Sequence, residues 1–162
     1  MKTKILLATL SLLLAPLALA LPSDRNQPID VNADSASMDE NSGLTVLTGA
    51  VKVVQGTMKI TGKKLEIYRD KAGEISKMIT YGAPATFQQQ QQKGKPLTHA
   101  FGSKMVYLLA EQTVTITGNA KVEQDNDKFS GEKVVYYMDK AVVKATGGKQ
   151  RVKMIIQPKG QK

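Results

Sequence analysis

The sequence predicts an all-β protein, a twisted open β-jelly roll of stacked antiparallel strands built from an internal duplication. Residues 48–71 align without a gap on residues 117–140, and eleven of the 24 positions are identical,. Apolar and polar residues alternate at period two rather than at the roughly 3.6-residue period of a helix. Glycines break these runs at short intervals, as turns and bulges do.

The chain opens with Lys2 and Lys4, then an apolar run over residues 5–14 broken by Thr9 and Ser11, then Pro16 and the small residues of Ala18-Leu19-Ala20. That order is a secretory signal peptide. The run is about half of the ~20 residues a membrane-spanning helix needs, so export with cleavage after Ala20 is expected. Residues 21–28, with Pro22 and Pro28, form a polar lead-in expected to stay mobile up to Ile29. The jelly roll is expected over residues 29–157, with its first strand near residues 29–33.

Inside the duplication a smaller unit recurs. Gly62-Lys-Lys-Leu-Glu-Ile-Tyr68 is echoed from Gly102 to Leu108 and from Gly131 to Tyr137, with a faint fourth copy over residues 33–39. The Thr48-Gly49 and Thr117-Gly118 elements have degraded relatives at Tyr81-Gly82 and Thr146-Gly147. Two strand motifs therefore alternate through four units of roughly 30 to 40 residues. Val51 and Val53 alternate with Lys52, Leu65 and Ile67 with Lys64 and Glu66, and Val114 and Ile116 with three threonines. Each such run is a strand with one buried and one solvated face. The glutamines at 88–92, followed by Lys93-Gly94-Lys95-Pro96, read as a strand end entering a loose hairpin loop. The last strand is expected near residues 151–157, where Val152, Met154 and Ile156 share one face, and residues 158–162 form a basic tail.

The formal charge is +9, falling to +7 without Lys2 and Lys4. A basic, exported protein suits anionic partners such as a membrane surface or a phosphorylated lipid. Its lysines are dispersed, and five Tyr and three Phe make a poor platform for stacking bases,, so nucleic acid is not expected. With no cysteine and His99 as the sole histidine, disulfides, thiolate chemistry, lipid attachment through cysteine and multi-histidine metal sites are excluded,. Asp125-Asn126-Asp127 lacks the rest of a calcium loop. Carboxylate pairs such as Asp39-Glu40 fall at strand ends and turns. No enzymatic activity and no cofactor are expected. The apolar inventory is aliphatic and contains seven Met and no Trp, which suits flexible acyl chains better than sugars.

Several segments carry a family resemblance: Gln27-Pro28-Ile29; Thr48-Gly49 with Val53 and Gln55-Gly56-Thr57; Tyr81-Gly82-Ala83-Pro84-Ala85-Thr86-Phe87; Gly94-Lys95-Pro96; and Ile116-Thr-Gly-Asn-Ala120. In that order they resemble the LptA-type, OstA-like family of periplasmic lipopolysaccharide-transport proteins, over essentially the whole chain after the signal peptide. The resemblance implies a soluble periplasmic bridge that holds lipid A acyl chains in an apolar groove. It passes lipopolysaccharide from an inner-membrane exporter to an outer-membrane translocon. It places groove contacts at Ile29, Val31, Phe87, Tyr107 and Leu109, with Val31 in place of a larger Ile. The match is weakest at Arg25 and Asn26 and in a shorter C-terminal tail.

An open jelly roll leaves unpaired backbone groups on its outer strands, which another chain can complete. The N-terminal edge, with Ile29, Val31 and Ala33, is expected to meet a membrane-anchored inner-membrane subunit. The C-terminal edge, with Val152, Met154 and Ile156, is expected to meet the outer-membrane translocon. The same edges could pair head to tail into homo-oligomers. Two other readings are a structural β-solenoid module that assembles through its edges without lipid, and an exported polysaccharide-binding protein or lyase.

Overall fold

The computed structural model describes residues 24–91, 94–149 and 151–158. The proposed signal peptide lies outside them. Ten strands follow in order: β1 (Asp30–Asn32), β2 (Ser35–Asp39), β3 (Leu44–Gln55), β4 (Met58–Arg69), β5 (Ile75–Gln89), β6 (Thr98–Leu108), β7 (Thr113–Gln124), β8 (Asp127–Tyr137), β9 (Val142–Thr146) and β10 (Lys153–Ile155). A 3₁₀ turn, Asp24–Asn26, precedes them. β3 to β8 run as one antiparallel meander, each pairing with its chain neighbour. The glutamine run does end a strand, since β5 stops at Gln89.

Each long strand is broken near its middle. The register jumps between Thr48 and Val51, Thr61 and Lys64, Tyr81 and Ala85, Phe101 and Lys104, and Thr117 and Ala120. These steps fall on Gly49, Gly62, Gly82, Gly102 and Gly118, so a line of glycines crosses the sheet. Bulges bend strands sharply, and a row of them creases the sheet into two facing walls. One wall holds the strand halves running from the crease to the 69–75, 108–113 and 137–142 turns, with β2 and β9. The other holds the halves running to the 55–58, 89–98 and 124–127 turns, with β1 and β10.

The closure of the two walls is directly visible. Phe87 on β5 and Tyr136 on β8 are three strand intervals apart, about 14 Å in a flat sheet. Their ring centroids lie 6.0 Å apart, edge to face, which requires the sheet to fold over on itself.

The duplication is explicit in this geometry. β3 and β7 superpose at an offset of 69 residues, bulge on bulge. At the bulges Gly49 and Gly118 have φ of 77° and 75°, followed by Ala50 at 41° and Asn119 at 55°. Gly49 is needed twice over: its backbone is left-handed, and a Cβ there would collide with the Asp34 side chain,. The predicted inward faces are buried, with Val53, Leu65 and Ile116 at 0% exposure.

Three expectations need correction. Residues 24–28 are not a loose lead-in, because the 3₁₀ turn is bonded to the body of the protein. The first and last strands are shorter than expected, Asp30–Asn32 and Lys153–Ile155. Each edge also consists of two short strands rather than one. β1 and β2 both pair with β3, on opposite sides of the crease, and β10 and β9 likewise pair with β8.

Candidate functional site: a groove between the walls

The space between the walls is apolar. Leu65, Met78, Met105 and Val114 face it from one wall, and Val53, Ile60, Ala85 and Val122 from the other, all at 2% exposure or less. Buried methionines (Met58, Met78, Met105) give this interior soft, adaptable surfaces,. Phe87 and Tyr107 belong to this cluster, and Ile29, Val31 and Leu109 pack half-buried against it. The five residues singled out from the sequence therefore come together on one interior, with Ile29, Val31 and Leu109 nearest its open margins.

The mouth opposite the crease has polar rims. Gln55 and Gln89 are buried on one rim, while Gln91 donates from Nε2 across the opening to the Met138 carbonyl at 3.0 Å. The N-terminal segment lies across the mouth as a strap. Asp24 accepts from the Thr57 backbone N–H at 2.7 Å, the Thr57 hydroxyl at 2.7 Å and Gln89 Nε2 at 2.9 Å. Gln55 Nε2 donates to the carbonyls of Arg25 and Gln27 at 3.3 and 3.1 Å. Gly56 makes room for this docking, since a Cβ there would strike the Asp24 carboxylate.

Two cavities flank the strap. One of about 380 Å³ includes Asp24, Thr57, Met58, Gln112 and Met138 in its lining. The other, about 540 Å³, includes Ile29, Ile75, Leu109 and Ala110. Both are walled by Arg25, Gln27, Gln55 and Tyr107, so the strap is the partition between them. Burial raises the Tyr107 hydroxyl above its ordinary pKa, Arg25 opposes this and Asp24 adds to it. The phenol therefore stays a neutral donor near physiological pH.

The predicted edge residues fall into two environments. Val31 is half-buried in β1, and Ala33 sits half-buried where β1 gives way to β2. At the other end Met154 lies in β10 with Val152 and Ile156 just outside it, at 53%, 41% and 62% exposure. Most large exposed apolar side chains sit at the two edges: Met38 at one, Val142, Val152, Met154, Ile155 and Ile156 at the other. Among the described residues the outer sides of these strands have no sheet partner. Sequence reasoning missed β9, although the Val142-Val143 pair before the degraded Thr146-Gly147 element was a usable signal. It also missed Asp24, whose partners are distant in sequence.

The outer faces are different in kind. Lys64 and Lys104 both lie over the Tyr81 ring, at 5.6 and 5.5 Å, and Lys77 lies over Tyr68 at 4.1 Å. Lys64 bonds Glu66 at 2.8 Å and, with burial opposing it, holds that carboxyl below its ordinary value. His99 is on this outer side, opposite Gln88 and Glu123. Among the described residues no cluster of His, Asp or Glu could hold a metal ion, and no helix is long and apolar enough to cross a membrane.

Comparison with known proteins gives the same architecture. The family model described as LptA/(LptD N-terminal domain) LPS transport protein matches residues 30–142. The lipopolysaccharide export system protein LptH of Pseudomonas aeruginosa is 40% identical over 151 residues, 88% of this chain and 86% of that protein. The lipopolysaccharide export system protein LptA of Escherichia coli K12 is 37% identical over 144 residues, 87% of this chain and 77% of that protein. The Haemophilus influenzae LptA is 34% identical over 158 residues, 96% of this chain and 91% of that protein. The crystal structure of the P. aeruginosa LptH aligns with a TM-score of 0.80 at 36% identity, covering 85% of this chain and all of that one. That structure is described as the LptA-homologous periplasmic component of the conserved lipopolysaccharide transport device.

Proposed function

Since the chain belongs to the LptA/(LptD N-terminal domain) family of LPS transport proteins, we propose that it is a periplasmic lipopolysaccharide carrier and bridge. It holds lipid A acyl chains between its walls and passes them from an inner-membrane exporter to an outer-membrane translocon. The observation that carries this reading is the apolar, aliphatic interior, which opens along a polar-rimmed mouth and ends at two sheet edges that have no strand partner among the described residues. Burying a dozen methylenes at ~0.8 kcal/mol each would hold one chain by about 10 kcal/mol. A lipid with several chains needs such cover to cross water, yet complete enclosure would make release slow. A trough satisfies both demands. With no nucleotide-binding loop in the sequence, the driving energy comes from a partner.

The edges carry the proposed partners. β1 and β2 receive the membrane-anchored inner-membrane subunit, and β9 and β10 receive the outer-membrane translocon or the first edge of another copy. Strand addition at either end would prolong the groove. Val31, half-buried within β1, serves both as edge residue and as groove contact.

The test is photo-crosslinking in cells. A crosslinking residue at Phe87, Tyr107 or Leu109 is expected to capture lipopolysaccharide, and one at the outward Lys52 is not. Equal capture at all four positions, or at none, refutes the groove assignment. Absence of lipid A from extracts of the purified protein would favour a structural module instead.

A further inference from the structure

Where the apolar interior meets its rim, three buried polar atoms have no hydrogen-bond partner among the described residues: Gln89 Oε1, the Thr98 hydroxyl and the Tyr136 hydroxyl. Their residues are 8%, 0% and 1% exposed. They form one group. Gln89 and Thr98 stand opposite each other on β5 and β6. The Thr98 hydroxyl lies beside that of Tyr136, which reaches in from the other wall, and the pair falls short of hydrogen-bond geometry. The Gln89 amide orientation is fixed, because its Nε2 donates to the Asp24 carboxylate at 2.9 Å and the reverse orientation would face oxygen to oxygen. Phe87, a proposed groove residue, has its ring edge-to-face with Tyr136, so the polar group adjoins the surface that would hold a chain.

An unpaired polar group in an apolar interior is costly, and folded proteins rarely retain one without a use. Here the set has a definite chemistry. Gln89 Oε1 accepts, while the two hydroxyls each donate one proton. An alcohol matches it: its proton goes to Gln89 Oε1 and its two lone pairs accept from Thr98 and Tyr136. An ester carbonyl would leave Gln89 Oε1 unpaired, and a plain alkyl chain would leave all three.

We propose that Gln89, Thr98 and Tyr136 form a polar subsite inside the groove that selects an acyl chain bearing a hydroxyl group. This deepens the carrier reading and rests on it. The subsite gives the groove a register, since the chain settles where its hydroxyl meets the three side chains. Apolar area alone does not supply that.

The experiment measures affinities of the purified full chain for tetradecanoate and for its 2-hydroxy and 3-hydroxy derivatives, by displacement of a fluorescent fatty acid. At least one hydroxylated chain is expected to bind about tenfold more tightly than tetradecanoate, the scale of one satisfied buried hydrogen bond. Tyr136→Phe and Thr98→Val each keep the volume, and each is expected to reduce the preference for the hydroxylated chain to less than about twofold. Both variants should also melt no lower than the parent, since each removes an unpaired buried hydroxyl. Equal binding of all three acids by the parent overturns the subsite and leaves the carrier reading standing; that is the result if ordered water pairs these groups. Retention of the preference in both variants likewise overturns it. Failure of all three acids to bind overturns the acyl groove on which the subsite rests.

Discussion

Asp24→Ala should release the strap across the groove mouth without unfolding the sheet. The carboxylate takes three hydrogen bonds, from the Thr57 N–H, the Thr57 hydroxyl and Gln89. Bonds to a charged acceptor contribute about 1.5–3 kcal/mol each when buried. This rim is half-exposed, and water recovers much of that when the bonds break. Taking the three together as about 2 kcal/mol gives a shift of roughly 30-fold in the equilibrium between seated and released strap. The Gln27 amide reports it, because it donates to the Asp24 main-chain carbonyl within the strap and keeps that acceptor in the variant. In Asp24→Ala its hydrogen exchange should accelerate by about that factor, while the amides of Val53 and Val122 keep their rates. Unchanged exchange at Gln27 would show that the strap is not held by Asp24. Equal acceleration at all three amides would show that the carboxylate supports the whole sheet, and the reasoning would fail.

Two further outcomes follow from the structure. Glu66 is held below its ordinary pKa of 4.5, chiefly by Lys64; its contribution to stability is therefore complete above that value and lost as pH falls through the lowered one. Glu66→Gln should flatten the acid limb of melting temperature against pH below about 4.5, and an unaltered limb would contradict this. Deleting residues 151–162 removes β10 but leaves β9, and should abolish both outer-membrane partner binding and concentration-dependent oligomers in sedimentation while sparing the inner-membrane contact. Loss of the inner-membrane contact alone would show the polarity of the bridge to be the reverse.

The fold was legible where local pattern and repetition agree. Val51, Val53, Leu65, Ile67, Val114 and Ile116 declared their inward faces by alternation, and the offset of 69 residues carried β3 onto β7 and bulge onto bulge. Alternation fails at the crease, because a bulge shifts which parity faces inward. On β4 the buried positions run Met58 and Ile60, then Leu65 and Ile67; on β8 Tyr136 is buried while Tyr137, aligned with Tyr68 in the repeat, faces out. The proposed lipid contacts were reachable through the resemblance to a family. The strap and the polar group were not, because Asp24 meets Thr57 and Gln89 only through residues 33 and 65 positions away in sequence, and Thr98 meets Tyr136 only after the sheet has folded over. Short edge strands such as β9 offer few residues for any period to show.

A creased card is stiff along its fold and compliant across it, and this sheet shares that anisotropy. Every long strand crosses the crease and belongs to both walls, so one wall cannot slide past the other without breaking ladder bonds throughout. Opening the angle at the glycine line stretches none of those bonds and alters few dihedrals per strand. The soft coordinate of the molecule is therefore the width of its trough, and its length is rigid. A conduit assembled from such units would hold its span between two fixed ends while its bore swells and narrows around whatever passes along it.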